Sequence, residues 1–352
     1  MSSAFSMRSA LVCAAAVLLF AAGCTGETRS ASTGSAGSTK TDAAPSTKVY
    51  DGKYPIHVIT TCGMVTDIVE HVGGDKVTVT GLMGQGVDPH LYKPTRNDVK
   101  QLNDADVVFF SGLMLEGRMG DTFTKVARGG KPVFAVTEGI DEKYLREPPE
   151  FQGHWDPHVW MDVSAWSECT GFVAEALGKY DPANKDYYRE NAEAYRAQLK
   201  ELDDYVRKVI ASIPEEQRVL VTAHDAFGYF SRAYKIPVAS AQGVSTESEA
   251  GVSDINKLVD MVVDKKVQAI FVESSVNPKN IQAVIEGAAA KGHRVKVGGE
   301  LFSDAMGAAG TYEGTYIGML DHNATTMALA LGGTAPETGL HGKLKPTSPA
   351  KP

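Results

Sequence analysis

Short apolar runs rich in β-branched residues alternate with helical patterns along most of the chain after residue 49. This alternation predicts βαβ units and parallel sheets, because a crossover helix connects two parallel strands. The first group of predicted strands covers 57–61, 77–82, 107–111 and 133–136, with helices at 65–72, 97–103 and 120–127. The second group covers 219–223, 238–241, 269–272 and 295–297, with helices at 227–234, 254–264, 278–289 and 311–331. The α/β pattern therefore predicts two similar lobes, each with a four-stranded, mostly parallel sheet.

One long amphipathic helix is predicted between the two groups. Asp181 and Pro182 are typical of a helix start, and Pro214 ends the pattern. At 1.5 Å per residue, some 30 residues span about 45 Å, which is enough to run the height of both lobes. Its apolar face consists of Tyr188, Ala192, Tyr195, Leu199, Leu202, Val206 and Val209. This spacing predicts a stiff connection between the lobes.

The N-terminus has the polarity of a secretory signal. Arg8 is the only charged residue in 1–23, and the apolar stretch that follows it is too short to span a bilayer permanently. The stretch ends in Ala21-Ala22-Gly23-Cys24, which resembles the lipobox where bacterial lipoproteins are cleaved and lipidated on cysteine. We therefore expect a lipoprotein signal peptide over 1–23 and lipidation of Cys24. Plain secretion with cleavage near Ala22 is the alternative.

The ends of the chain differ in composition from its middle. Ser, Thr, Gly and Ala dominate 24–48, which predicts a flexible tether, and four prolines within 333–352 predict a disordered tail. The rest divides into an N-terminal lobe over 49–180, a linking helix over 181–213 and a C-terminal lobe over 214–332. About 280 residues for two lobes and a helix agree with ordinary domain sizes.

Composition and charge narrow the possible functions. The 352 residues are 43% hydrophobic and 22% charged, which excludes wholesale disorder and a multi-span membrane protein. A net charge of −8 without a long basic run argues against nucleic-acid binding. Of four cysteines, Cys13 leaves with the signal and Cys24 carries lipid. The other two, Cys62 and Cys169, could form a disulfide or remain buried thiols.

The tripeptide Asp-Pro-His occurs twice, as Asp88-Pro89-His90 after the second predicted strand and as Asp156-Pro157-His158 after the fourth. Proline holds the preceding residue extended, so each loop presents its histidine at a defined angle. His224 follows the first strand of the second group, and Asp304 lies beyond the last. Ligands of parallel α/β folds bind at the carboxyl ends of strands. We therefore expect these three imidazoles and one carboxylate to converge if the lobes face each other across a cleft.

Three imidazoles and one carboxylate suit Zn²⁺ and can also hold Mn²⁺. The imidazoles must be deprotonated to coordinate, so binding should depend on pH. Three carboxylates adjoin the histidines in sequence and are candidates for orienting their rings, with ordinary turn and capping roles as the alternative. They are Asp88, Asp156 and Asp225.

Together these features resemble the zinc- and manganese-binding lipoproteins of ATP-binding-cassette importers, over about residues 49–331. The resemblance rests on Cys24, the paired Asp-Pro-His motifs, His158-Val159-Trp160-Met161-Asp162, His224-Asp225-Ala226-Phe227, the long middle helix and Leu301-Phe302-Ser303-Asp304. It implies two (β/α) lobes joined by a rigid helix, with one metal ion bound in the cleft. The implied ligands are His90, His158, His224 and Asp304.

The resemblance also bears on the choice of metal. In this family, histidine at the third ligand position is associated with zinc binders and with some proteins that take both metals, so His224 favours zinc. Many dedicated zinc members carry a long loop rich in histidine and acids before the second ligand, whereas 138–156 contains a single histidine, His154. Zinc, manganese or both therefore remain open as cargo, and His154 is expected to be an ordinary loop residue.

The implied protein is a solute-binding lipoprotein and not an enzyme. It would capture Zn²⁺ or Mn²⁺ at the cell surface or in the periplasm and deliver the ion to a permease and its ATPase. Lipidated Cys24 would hold it at the membrane, and we expect a monomer. A secreted zinc metallohydrolase and a surface adhesin with a structural metal are the alternatives. The sequence contains no His-Glu-x-x-His motif, and four protein ligands favour holding a metal over catalysis.

Overall fold

The computed structural model describes residues 49–345, so the predicted signal peptide, the tether and Cys24 lie outside the described residues. In the described part of the chain, no helix combines the length and the apolar character that a membrane span requires. The N-terminal lobe contains strands β1 (Ile56–Thr60), β2 (Val77–Gly81), β3 (Val107–Phe110) and β4 (Val133–Ala135) and helices α1 (Gly63–Gly73), α2 (Arg96–Asp104) and α3 (Gly120–Arg128). The strands form one parallel sheet in the order β2-β1-β3-β4.

Two helices connect the lobes, α4 (Val163–Tyr180) and α5 (Lys185–Ala211). The predicted apolar face of the long helix is confirmed, since all seven of its residues are buried in α5. Helix α4 was not predicted. It begins where the Asp162 carboxylate accepts hydrogen bonds from the backbone N–H groups of Ser164 and Ala165, which satisfies donors that the first turn leaves free.

The C-terminal lobe contains strands β5 (Leu220–His224), β6 (Val238–Gln242), β7 (Ala269–Glu273) and β8 (Lys296–Leu301) and helices α6 (Gly228–Tyr234), α7 (Val252–Asp264), α8 (Lys279–Ala290) and α9 (Tyr316–Ala330). The strands pair in parallel as β5 with β6 and β7 with β8, and not as one continuous four-stranded sheet as predicted. Strands β5 and β7 lie side by side. Between these two strands, the Glu273 carboxylate accepts hydrogen bonds from the backbone N–H groups of Ala223 and His224, where a carbonyl of a neighbouring strand would otherwise accept them.

The lobes share one buried core, to which α1, α4, α5 and α9 all contribute. Within it the Asp67 carboxylate of α1 accepts hydrogen bonds from the Tyr195 hydroxyl of α5 and from the Tyr316 N–H of α9. The Trp160 indole N–H, from the connection after β4, donates to the Ser303 carbonyl after β8 at 2.9 Å. These buried contacts tie elements of both lobes to the long helix.

The prediction of a disordered tail was wrong for residues 333–345. The Thr334 N–H donates to the Ser212 hydroxyl at 2.7 Å, and the Leu340 N–H donates to both carboxylate oxygens of Asp321. Leu344 is buried. This segment is thus docked by backbone hydrogen bonds to Ser212 and Asp321 and by burial of Leu344. Residues 346–352 lie outside the described residues.

Candidate metal centre

Three histidines and one aspartate meet in the cleft between the lobes. His90 lies in the loop after β2, and His158 in the long connection after β4. His224 is the last residue of β5, and Asp304 follows β8 by three residues. All four are buried, and each offers one ligand atom within 4.8 Å of the other three. The structure thus brings together the four residues that the sequence singled out.

The separations of the ligand atoms fit a single small cation. His90 Nε2 lies 3.3 Å from His158 Nε2 and 3.7 Å from Asp304 Oδ2. Asp304 Oδ1 is 3.4 Å from His158 Nε2, and Asp304 Oδ2 is 3.2 Å from His224 Nε2. Tetrahedral zinc ligands at about 2.0–2.1 Å from the metal lie about 3.3 Å from one another.

Three of the ligand atoms lack ordinary partners. Within the described residues, His224 Nε2 and both carboxylate oxygens of Asp304 are buried without a hydrogen bond. Buried polar atoms in folded proteins are nearly always satisfied, because leaving one unpaired costs about 1–3 kcal/mol. Three such atoms in one cluster, two of them anionic oxygens, fit a bound divalent cation. The donor set of three nitrogens and one oxygen suits zinc and accepts manganese.

A buried carboxylate orients the ring of His158, as predicted. Asp156 Oδ1 lies 2.8 Å from His158 Nδ1 and accepts the backbone N–H of the same residue at 3.0 Å. Its other oxygen pairs with the Arg146 guanidinium. This contact places the Nδ1 proton toward Asp156 and leaves Nε2 to face the cluster.

Glu273 orients His224, and the prediction that Asp225 would do so was wrong. Glu273 Oε2 lies 2.5 Å from His224 Nδ1, and Oε1 accepts the N–H groups of Ala223 and His224 at 2.7 and 2.9 Å. The Asp225 N–H donates to the Gly243 carbonyl, and its carboxylate lies near the Asp156 and Arg146 charges and not at the His224 ring. The chain bends at Asp225, directly after β5 ends, so adjacency in sequence does not bring its carboxylate to the His224 ring. Glu273 directly follows the predicted strand 269–272, so the rule that pointed to His224 could have found it.

Asp88 holds the backbone of the His90 loop, and its predicted role as an acceptor for the ring does not hold. Its Oδ1 accepts the His90 N–H at 2.9 Å. Its Oδ2 accepts the hydroxyl of Thr246, from the other lobe, at 2.6 Å. The first Asp-Pro-His loop is therefore fixed across the cleft.

The three imidazoles differ in basicity. Burial lowers the pKa of His90 to about 3, against the opposing effect of Asp304. Burial also lowers the pKa of His158, but the hydrogen bond to Asp156 and the nearby Asp304 carboxylate outweigh it and raise the pKa to about 9. For His224 the Glu273 and Asp304 charges likewise overcome burial, and its pKa is well above the usual value. The carboxylate ligand thus stays ionised beside two basic imidazoles.

Asp304 responds in the opposite sense. Burial raises its pKa, but the His224 charge and the adjacent His158 imidazole outweigh burial and hold the pKa well below the usual value. Elsewhere, Cys62 and Cys169 are both free and buried, so the possible disulfide between them is not formed. His154 is exposed in its loop and lies outside the cluster.

Residues 58–330 match the family described as zinc-uptake complex component A, periplasmic, or ZnuA. The chain is 49% identical over 283 residues to the zinc-binding protein TroA of Treponema pallidum, covering 80% of this chain and 90% of TroA. It is 47% identical over 276 residues to the manganese-binding lipoprotein MntA of Bacillus subtilis, covering 78% of this chain and 90% of MntA.

The fold also matches a solved structure. That of the periplasmic zinc-binding protein TroA from Treponema pallidum superimposes with a TM-score of 0.76 at 48% identity, covering 80% of this chain and 99% of TroA. The predicted fold class, two lobes of parallel strands with a long helix, is thereby confirmed. Because the family match spans most of the chain and two relatives share nearly half of the aligned residues, the chain belongs to the ZnuA family of periplasmic zinc-uptake components.

Proposed function

We propose that this chain is an extracytoplasmic solute-binding protein that captures one Zn²⁺ or Mn²⁺ ion and delivers it to an ATP-binding-cassette permease. The observation that carries the proposal is the buried cluster of three imidazoles and one carboxylate, with three unsatisfied ligand atoms, drawn from both lobes. The proposed ligands are His90, His158, His224 and Asp304.

Two metals are consistent with the site. TroA is named for zinc and MntA for manganese, and this chain resembles the two to nearly the same extent. The three nitrogen ligands favour zinc, because zinc outranks manganese at nitrogen sites. Which metal the protein carries in the cell then also depends on the concentrations of Zn²⁺ and Mn²⁺ around it, since cellular selectivity follows metal availability as well as affinity.

The flanking segments suit a tethered carrier. The name of MntA as a lipoprotein supports removal of residues 1–23 and lipidation of Cys24. Residues 24–48 then serve as the tether of a monomer that reaches a permease and its ATPase in the same membrane. The proposed functional parts are an N-terminal lobe over 49–180, a linking helix over 181–213 and a C-terminal lobe over 214–332.

The same ligand set argues for holding the metal and not for catalysis. Catalytic zinc sites keep a position open for water beside three protein ligands, whereas four protein ligands complete a tetrahedral shell. The family and the relatives are uptake and binding proteins. A metallohydrolase is therefore not supported, and neither is an adhesin.

Metal uptake by cells tests the proposal. Radioactive Zn²⁺ and Mn²⁺ are supplied at low concentration to cells that lack the gene and carry the wild-type chain, Cys24→Ala, His224→Ala or an empty vector. Wild type should restore uptake of at least one metal, and His224→Ala should not. Cys24→Ala should appear in the soluble fraction with its metal site intact. Equal uptake with wild type and with the empty vector would contradict the proposed function.

A further inference from the structure

A loop of the C-terminal lobe reaches across the cleft to the loop that carries His90. The Thr246 hydroxyl donates to Asp88 Oδ2 at 2.6 Å, and Asp88 Oδ1 accepts the His90 N–H at 2.9 Å. Thr246 is 8% exposed and His90 is 4% exposed, so both ends of this connection are shielded from water. A single carboxylate thus joins a hydroxyl of one lobe to the backbone of a proposed ligand in the other.

The loop that carries Thr246 is itself held beside the metal centre. Gln242, the last residue of β6, donates from Nε2 to the carbonyl oxygens of Thr246 at 3.1 Å and of Ser248 at 2.6 Å. Gln242 is buried and pairs with His224 in the β5–β6 ladder. The hydrogen bonds that hold the His90 loop therefore lead back, through Thr246 and Gln242, to the β5–β6 pair, in which β5 ends at His224.

These contacts join two proposed ligands without passing through any of the four ligand atoms. We propose that Thr246 is a positioning residue for His90: its hydrogen bond to Asp88 keeps the His90 loop closed on the opposite lobe and slows release of the bound metal. The inference rests on the proposed function of the same site. It adds the route of release, in which the His90 loop separates from the C-terminal lobe first.

Other contacts across this part of the cleft are weaker supports. Arg118 Nε lies 2.7 Å from Glu247 Oε1, but these side chains are 32% and 50% exposed, and water screens such a pair. The Thr246 bond joins a buried hydroxyl to the half-buried Asp88 carboxylate, and hydrogen bonds to charged groups are the stronger ones.

His158 and His224 have ring supports within their own lobes. The backbone near His158 also has a contact across the cleft, since the Tyr229 hydroxyl donates to the Asp156 carbonyl at 3.0 Å. Of the three supporting carboxylate groups, however, it is that of Asp88 that accepts a hydrogen bond from the opposite lobe.

Release kinetics of the full chain loaded with Zn²⁺ test this inference. Excess EDTA is added, and the rate of Zn²⁺ loss is compared for wild type, Thr246→Val and Thr246→Ser. Valine matches threonine in shape without the hydroxyl, and serine keeps the hydroxyl. We expect Thr246→Val to release Zn²⁺ about tenfold faster, the factor that corresponds to about 1.4 kcal/mol, and Thr246→Ser to stay close to wild type.

The association rate and the melting temperature of the metal-free chain separate positioning from folding. Both should be similar in the three proteins, because the hydroxyl acts on the closed state. Thr246→Ala serves as a second variant if Thr246→Val folds poorly. Release from Thr246→Val at the wild-type rate, or equal acceleration in Thr246→Ser, would overturn the inference. A wild-type chain that retains no Zn²⁺ would instead overturn the proposed function and this inference with it.

Discussion

His158 and His224 are held by buried carboxylates that contact their rings, whereas His90 is held through its backbone. Asp156 and Glu273 each accept hydrogen bonds from both the Nδ1 atom and the backbone N–H of one histidine. Each of these carboxylates belongs to the same lobe as the histidine that it contacts. The geometry of these two ligands is therefore built into the separate lobes.

The arrangement around His90 depends on both lobes. Asp88 fixes the His90 backbone and is in turn bound by Thr246 from the other lobe. Separation of the lobes would break that contact, together with the Tyr229–Asp156 and Trp160–Ser303 hydrogen bonds near His158. The contacts of Asp156 and Glu273 with the other two rings would remain. The different supports of the three histidines suggest how a carrier can release its ion while most of its site stays formed. The loop support of one ligand, His90, is complete only when the two lobes are closed on each other.

The largest loss of Zn²⁺ affinity is expected from removing a proposed ligand whose ring is held by a buried carboxylate. His224→Ala leaves Asp304 and Glu273 as buried carboxylates without the imidazole, so we expect Zn²⁺ affinity to fall about a hundredfold or more. Competitive titration with a chelating indicator measures it. His154→Ala, in an exposed loop, is the matched control and should bind as wild type. Wild-type affinity in His224→Ala would show that the ion binds elsewhere.

Neutralising the carboxylate that orients the His224 ring should cause the next largest loss of Zn²⁺ affinity. Glu273→Gln keeps the shape of the side chain but loses the anionic partner of His224 Nδ1, and we expect a loss of affinity of about 10- to 100-fold. Asp225→Asn provides the comparison, because Asp225 adjoins His224 in sequence without contacting its ring. Equal losses in the two variants would contradict the assignment of Glu273.

Protons should leave the fixed histidines when the metal binds. The pKa of His158 is about 9 and that of His224 is well above the usual value, so we expect metal binding at pH 7 to displace protons from these two imidazoles. Affinity should rise with pH up to about pH 9, by about tenfold per pH unit for each proton displaced. His90, with a pKa of about 3, should contribute no proton.

Calorimetry in two buffers with different ionisation enthalpies counts the protons released. His158→Ala should release fewer protons than wild type, whereas His90→Ala should release as many. Identical binding enthalpies in the two buffers would show that the metal-free histidines are neutral. That result would contradict the expected difference in pKa between His90 and the other two histidines.

The smallest effect is expected at the rim of the cleft. Arg118→Ala removes the partly exposed ion pair with Glu247, and such pairs contribute about 0–1 kcal/mol. The rate of Zn²⁺ release should therefore stay within about fivefold of wild type and should vary with salt concentration. An acceleration as large as that of Thr246→Val that is independent of salt would show that the rim, and not the shielded hydroxyl, holds the His90 loop.

Much of the site followed from the sequence because strand ends converge in parallel folds. His224 and Glu273 both end buried strands, and that rule found the first and could have found the second. Adjacency in sequence predicts that Asp225 orients His224, but the chain bends at Asp225, beyond the end of β5, and the carboxylate does not reach the ring. Thr246 could not be found in this way, since its partner Asp88 lies 158 residues away in another loop.

Some elements of the fold could likewise be predicted from the sequence and others could not. The amphipathic face of α5 was visible in the sequence because polar residues surround it. Helix α4 is buried on most of its surface, from Val163 to Tyr180, so its sequence has no single apolar stripe to indicate a helix. The docking of residues 333–345 depends on Asp321 and Ser212, which lie outside that segment.

X-ray absorption spectroscopy at the zinc edge of the Zn²⁺-loaded chain tests the central claim most directly, namely that one ion is held by three imidazoles and one carboxylate from two lobes. The expected spectrum shows four nitrogen or oxygen neighbours at about 2.0–2.1 Å, with outer-shell scattering from three imidazole rings. A sulfur neighbour at about 2.3 Å, or scattering from fewer than three imidazoles, would contradict it.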